Sequence, residues 1–145
     1  MKGMTLIVKT ISKLIAGLIF LYGIYVVLHG HLTPGGGFAG GVIIAGAFVL
    51  LVLAEGLEEL PTEIKKWRAS LFESLGIFIF WFLAMLGVFG GTFFFLNLLS
   101  KGRPLELLSA GIILPCNIGI GIEVGGALFA IFITLAVLKG KEDKE

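Results

Sequence analysis

The sequence predicts an all-α integral membrane protein with four transmembrane helices and both termini in the cytoplasm. Three observations carry that expectation. Of 145 residues, 57% are hydrophobic and 14% charged, against roughly 25% charged in an ordinary soluble domain. Mean hydropathy is +1.06. So little polar surface excludes a soluble monomer. Four apolar stretches approach the ~20 residues that a ~30 Å hydrocarbon core demands of a helix. Lysine and arginine are also distributed unevenly among the connections, as they are in membrane proteins of fixed orientation.

The first span covers about 6–28, with Lys9 and Lys13 in its opening turns. Lys2, Lys9 and Lys13 before an apolar run give it a superficial likeness to a signal peptide. The run continues through Gly23-Ile24-Tyr25-Val26-Val27-Leu28 with no small-x-small cleavage site, so a retained span is expected. The second span, about 36–55, is short. The third, about 71–98, is free of charge from Ile77 to Leu96, and the fourth, about 117–138, holds one ionisable residue, Glu123. All four are far longer than the ~10 residues of a barrel strand, and they do not alternate apolar with polar. No internal repeat divides the chain, which reads as one membrane domain, 1–145.

Nine of the eleven basic residues fall on one side: Lys2, Lys9 and Lys13, then Lys65, Lys66 and Arg68, then Lys139, Lys141 and Lys144. The first connection has none, and the third has Lys101 and Arg103. The excess of positive charge inside places both termini in the cytoplasm of a multi-pass cell-membrane protein and His31 outside. Lys9 and Lys13 are expected to snorkel to the headgroups. In the third connection, Pro104 suits the start of a short interfacial helix and Pro115 its end.

A net charge of +1 leaves no excess with which to hold nucleic acid. One cysteine, Cys116, excludes an internal disulfide and a thiolate cluster from this chain alone. No nucleophile–base pair or cofactor motif is present, so the chain by itself is not read as an enzyme.

Glycine is in excess, at 22 residues. In lipid, small residues allow the close helix approach that hydrophobicity cannot drive. Gly36/Gly40 and Gly37/Gly41 share one end of the second span. Ala84, Gly87 and Gly91 line a face of the third. On the fourth, Gly121/Gly125 form one pair, and Gly119, Glu123, Gly126, Ala130 and Thr134 form a second row opposite Val124, Leu128, Ile131 and Leu135. Glu123 therefore stands in a small-residue stripe rather than among lipid-facing side chains. So many stripes suggest more partners than four helices supply to one another: a subunit of a larger membrane complex, with a homo-oligomer as the alternative and lipid around the rest.

The loop His29-Gly30-His31-Leu32-Thr33-Pro34-Gly35-Gly36-Gly37-Phe38-Ala39-Gly40-Gly41 stands out. Gly35 to Gly40 matches a dinucleotide-binding pattern in form only, since no strand precedes it. Thr33 is placed to cap the second helix with Pro34 at its first position. His29 and His31 are too few to hold a metal, and no bound cofactor is expected. Two readings remain for them: hydrogen bonds to a headgroup, water or neighbouring loop, or a role in proton or ion entry. The first and third connections share a face of the membrane, and Glu123 lies six residues, or about 9 Å, beyond Asn117. His29, His31 and Glu123 are thus expected to approach one another in the outer half of the bilayer. Glu123 reads either as an ion-path group or as a structural partner for a polar group on another subunit.

The block His29 to Gly41, continued by Val42-Ile43-Ile44-Ala45-Gly46-Ala47-Phe48, resembles the MnhB/MrpB family, small membrane subunits of multisubunit sodium/proton antiporters. A second block, Leu114-Pro115-Cys116-Asn117-Ile118-Gly119-Ile120-Gly121-Ile122-Glu123-Val124-Gly125-Gly126, matches at the expected separation. The resemblance implies other antiporter subunits as partners, Na+ and H+ as the ions moved, and Glu123, His29, His31 and Asn117 as candidates for the ion path. Members of the family often carry lysine where this chain has Glu123. The family also supplies subunits to archaeal membrane-bound hydrogenases and related respiratory complexes, so the resemblance admits either setting. It also admits a purely structural scaffold.

Overall fold

A computed structural model describes residues 4–56, 62–90, 93–99 and 102–142, with the backbone alone at 62–66 and 140–142. Four helices follow in order: α1 (Leu6–Leu28), α2 (Gly37–Glu55), α3 (Thr62–Phe89) and α4 (Ile113–Glu142). Each contains a stretch long and apolar enough to cross a membrane. No strand occurs among the described residues.

The first two spans match expectation almost to the residue. The third is displaced: α3 begins nine residues before the expected 71 and ends nine before the expected 98. Hydropathy passes over Glu63 to Arg68, but glutamate, lysine and arginine are good helix formers and continue α3 beyond the apolar stretch. At the other end, Gly90 follows the last helical residue, and the apolar Phe93 to Leu96 turns back along the helix. The N–H of Phe95 donates to the carbonyl of Ala84 at 3.1 Å. Hydropathy reports apolarity, which this folded-back segment shares with a span. The fourth helix is longer than expected at both ends.

The expected interfacial helix does not form. Residues 103–112 make successive turns closed by Glu106 N–H to Arg103 O and Ser109 N–H to Glu106 O. Pro115 stops nothing and stands in the first turn of α4, where the N–H it lacks would have had no helical partner. Thr33 does not cap α2 either. Its hydroxyl donates back to His29 O at 3.2 Å, closing the end of α1. The N-cap of α2 is Gly36, at φ 126° and ψ −166°, a backbone conformation open to glycine. Lys13 does more than snorkel: its Nζ lies 2.9 Å from Glu55 Oε1. The antiparallel α1–α2 hairpin brings the start of one helix beside the end of the other.

The helices stand in the order α1, α2, α4, α3 rather than in a closed bundle. α2 packs on both α1 and α4, α3 packs on α4, and α3 makes little contact with α1 or α2. Small residues set these contacts. Gly40 faces Gly23 and Val27 of α1, whereas Gly37 and Gly41 face α4. On α4, Gly121 and Gly125 meet Gly37, Gly41 and Ile44, while Gly119 and Gly126 meet α3. The small stripes thus find their partners inside the chain, and their number is no argument for further subunits. Gly87 is covered by the returning Phe93–Leu96 segment rather than by a helix. Gly91, expected beside it, lies outside the described residues. The aromatic side chains Phe78, Trp81, Phe82 and Phe89 of α3 are exposed, as suits a lipid-facing surface.

A methyl group added at Gly41 would lie 2.8 Å from the carbonyl oxygen of Gly121, whereas one at Gly46 meets nothing within 4 Å. Gly41→Ala is expected to cost about 1–3 kcal/mol through overpacking. Gly46→Ala should be neutral or gain up to about 1 kcal/mol of helix propensity. Reversible SDS unfolding followed by circular dichroism measures both.

Candidate functional site

The glycine loop and the start of α4 form one polar cluster. α1 closes with the N–H of His29 on Tyr25 O, and the His29 ring stacks on Tyr25 with centroids 4.1 Å apart. Its Nδ1 lies 3.1 Å from the same carbonyl. The next turn carries His31 across to the third connection, where its Nε2 lies 3.4 Å from Glu106 O. The other ring nitrogen, Nδ1, is buried and has no hydrogen-bond partner. With Nε2–H donating to Glu106, Nδ1 offers a lone pair and can take a proton or a hydrogen bond. Asn117, half-buried, sits against Gly30 and Gly36. A side chain at Gly30 would strike its Nδ2 at 2.8 Å, and one at Gly36 would touch its Oδ1 at 3.6 Å. Gly35 and Gly36 at positive φ let the chain turn into α2, and Phe38 points outward, 68% exposed. Thr33 and Pro34 lie exposed on the loop surface.

Beside this cluster, a cavity of about 330 Å³ is lined by Phe80, Phe95, Asn97, Ile112, Ile113, Cys116 and Asn117. Asn97 holds its wall: Oδ1 accepts the N–H of Ile112 at 3.0 Å, and its amide lies against Gly111, whose φ is 57°.

Glu123 belongs to a different place. Its backbone and Cβ meet Gly76 of α3, in the row with Gly119 and Gly126, whereas Asn117 faces the α1–α2 loop. Six residues along a helix turn through about 600°, so the two side chains leave α4 about 120° apart as well as about 9 Å apart along its axis. The expected convergence of Glu123 with His29 and His31 is therefore corrected. Counted from Ile113, Glu123 also lies deeper, at about 15 Å.

A third span starting near residue 71 would put Glu73 at its very edge. The apolar stretch of α3 starts at Trp67, so Glu73 lies six residues, or about 9 Å, inside it. Its backbone lies against Gly126, just as that of Glu123 lies against Gly76. The signal was present: Ala69-x3-Glu73-x2-Gly76 repeats the spacing of Gly119-x3-Glu123-x2-Gly126. Packed antiparallel, each glycine admits the backbone of the opposite glutamate, and the two half-buried glutamates flank one contact.

Four membrane-length helices packed through glycine, with two half-buried glutamates flanking the α3–α4 contact, define a multi-pass membrane protein. Residues 7–130 match the domain related to the MnhB subunit of Na+/H+ antiporters, and the chain belongs to that family. An uncharacterized protein of Methanocaldococcus jannaschii is 36% identical over 126 residues, 83% of this chain and 48% of that protein. The "Putative antiporter subunit mnhB2" of Staphylococcus haemolyticus is 41% identical over 70 residues, 46% of this chain and 50% of that protein. The chain thus spans about half the length of these relatives. Among solved structures, a chain of the membrane-bound sulfane sulfur reductase, an archaeal respiratory membrane complex, superposes with a TM-score of 0.67 at 32% identity. The match covers 90% of this chain and 57% of that one.

Removing the Asn97 carbonyl strands the Ile112 N–H. Asn97→Ala is expected to cost about 1–3 kcal/mol and to speed hydrogen exchange at residues 111–113, while Asn97→Asp, which keeps an acceptor, should retain protection. Amide exchange resolved by mass spectrometry measures this.

Proposed function

We propose that the chain is an integral membrane subunit of a multisubunit sodium/proton antiporter module and contributes carboxylates to its cation or proton path. The observation that carries the reading is the Glu73–Glu123 pair at the α3–α4 contact. A carboxylate at mid-bilayer depth is costly unless it faces protein, water or a counter-charge. Acidic residues flanking one interhelical contact inside a membrane protein support an ion path. The unpartnered Nδ1 of His31 and the neighbouring Asn117 then form an entry on the loop face, with Na+ and H+ as the transported species and no cofactor held by this chain. Neither group is a catalytic residue, and the chain acts with neighbouring subunits rather than alone. Glutamate where the family often has lysine changes the sign of the charge at that depth.

A second reading has its own support. The similarity to the respiratory complex runs over 90% of the chain, whereas the staphylococcal antiporter similarity covers 46%. On this reading the same subunit works in a complex that couples redox chemistry to ion pumping. Co-purifying subunits distinguish the two.

In assembled complex reconstituted into vesicles, Glu123→Gln or Glu73→Gln is expected to lower sodium/proton exchange at least about tenfold, the cost of one lost charge-assisted contact. His31→Ala should lower it less. Unchanged exchange with the complex intact would leave these residues a scaffold role; loss of the complex would indicate the same. For topology, the basic-residue asymmetry supports a cell-membrane protein with both termini on the cytoplasmic side. A cysteine introduced at position 31 should therefore react with an impermeant reagent added outside intact cells, and labelling only from the cytoplasmic side would reverse the orientation.

A further inference from the structure

The segment Phe93–Leu99 is neither helix nor strand, yet it runs back along α3. Phe93 covers Gly87, the N–H of Phe95 meets Ala84 O, and the Phe95 ring reaches that of Phe80 with centroids 5.2 Å apart. Ala84 lies five residues, or about 7.5 Å, inside the end of the α3 span. Hydrocarbon offers no hydrogen bond, so irregular backbone at such depth persists only where protein buries it or where it borders water. Within this segment, among the described residues, only the N–H groups of Phe95 and Leu96 are bonded to backbone. The cavity of about 330 Å³ between the segment, α3 and the start of α4 can supply the water. We propose that this cavity is an aqueous inlet, open on the loop face and ending at Asn117 and Cys116, through which water and small cations enter the edge of the bilayer.

Shape and chemistry agree on water. The cavity is walled by three segments of this chain and has room for roughly ten water molecules. A neighbour's helix, about 10 Å wide, does not fit into it. Its lining is not uniformly apolar. Asn97 brings an amide whose Oδ1 holds the Ile112 N–H, and whose NH2 group has two hydrogens to donate. Asn117 brings an amide with no hydrogen bond among the described residues. Amides left so in hydrocarbon are costly, and water satisfies them. The wall is also firmly built. Phe95 stands at φ 61°, an outlying conformation for an aromatic residue that its surroundings must fix. The bond to Ala84 and the ring contact with Phe80 do so. Exposed Phe95 and Ile113 stand at the mouth, and buried Cys116 lies three residues inside the α4 span. The inlet gives the loop-face route of the proposed ion path its water, but the water itself does not rest on that reading.

Cys116 is the one cysteine of the chain and reports on the cavity without any substitution. Only a thiolate reacts with methanethiosulfonates, and a thiol ionises far more readily in water than in hydrocarbon. The assembled complex is placed in lipid nanodiscs, which expose both faces, and treated with a cationic trimethylammonium methanethiosulfonate. The mixed disulfide on Cys116, formed as methanesulfinate leaves, is measured by peptide mass spectrometry. Cys116 is expected to react at least about tenfold faster than Leu135→Cys in a Cys116→Ser background, an exposed position four residues from the other end of the span. Ile113→Trp, which narrows the mouth, should remove most of the labelling. Asn97→Asp keeps an acceptor for Ile112 and puts a carboxylate on the wall. It should raise the rate of the cationic reagent over that of an anionic sulfonate reagent about tenfold. Labelling no faster than at position 135, reaction with neutral, lipid-soluble N-ethylmaleimide alone, or a reagent ratio unmoved by Asn97→Asp overturns the inlet. None of these readouts measures sodium/proton exchange, so failure here leaves the reading of Glu73 and Glu123 standing.

Discussion

The structure depends on backbone meeting backbone along both sides of α4. Lipid tails are as apolar as leucine, so burying leucine between helices gains little in a bilayer, and association rests on van der Waals contact at short range. α4 achieves this twice. Gly121 and Gly125 admit α2 and the end of α1, and Gly119 and Gly126 admit α3. Both rows are needed because α3 rests on α4 and on little else. The long aromatic and branched side chains, which would form the core of a soluble protein, are turned outward, with Phe78, Phe82 and Leu135 among them.

This arrangement separates polar groups that sequence proximity joins. Asn117 and Glu123 are six residues apart on one helix, yet one closes the glycine loop and the other meets α3. The same arrangement joins groups that sequence separates. Glu73 and Glu123 are fifty residues apart, yet they flank one contact because Gly76 and Gly126 each make room for the opposite backbone. The open side of the row leaves a groove between α1 and α3 with Arg68 along it. A closed bundle would have buried that space.

Much of the fold was legible in the residues. α1 and α2 ended where glycine or polar residues interrupt an apolar run, and the glycine pairs of α2 and α4 did mark helix contacts. The misplaced edges of α3 have a common cause. A hydropathy window excludes a charged helical turn such as Glu63 to Arg68, and it includes apolar residues such as Phe93 to Leu96 that fold back on the helix they follow. Thr33 and Pro115 were assigned to the wrong helix ends because a cap and a stop look alike in sequence until the direction of the hydrogen bond is known. The site was legible in part. Glu123, His31 and Asn117 were marked by their place among glycines, but Glu73 was missed once the start of α3 was set too late.

By itself, the sequence determined four membrane-crossing helices, the small faces on which they pack, and the family to which the chain belongs. Those properties reside in composition and in spacing along one helix, which neighbours do not alter. The tertiary structure decided which small face meets which helix, and with it that Glu123 meets α3 at Gly76 rather than the histidine loop. Periodicity fixes the direction in which a side chain leaves its own helix; only packing fixes what stands opposite.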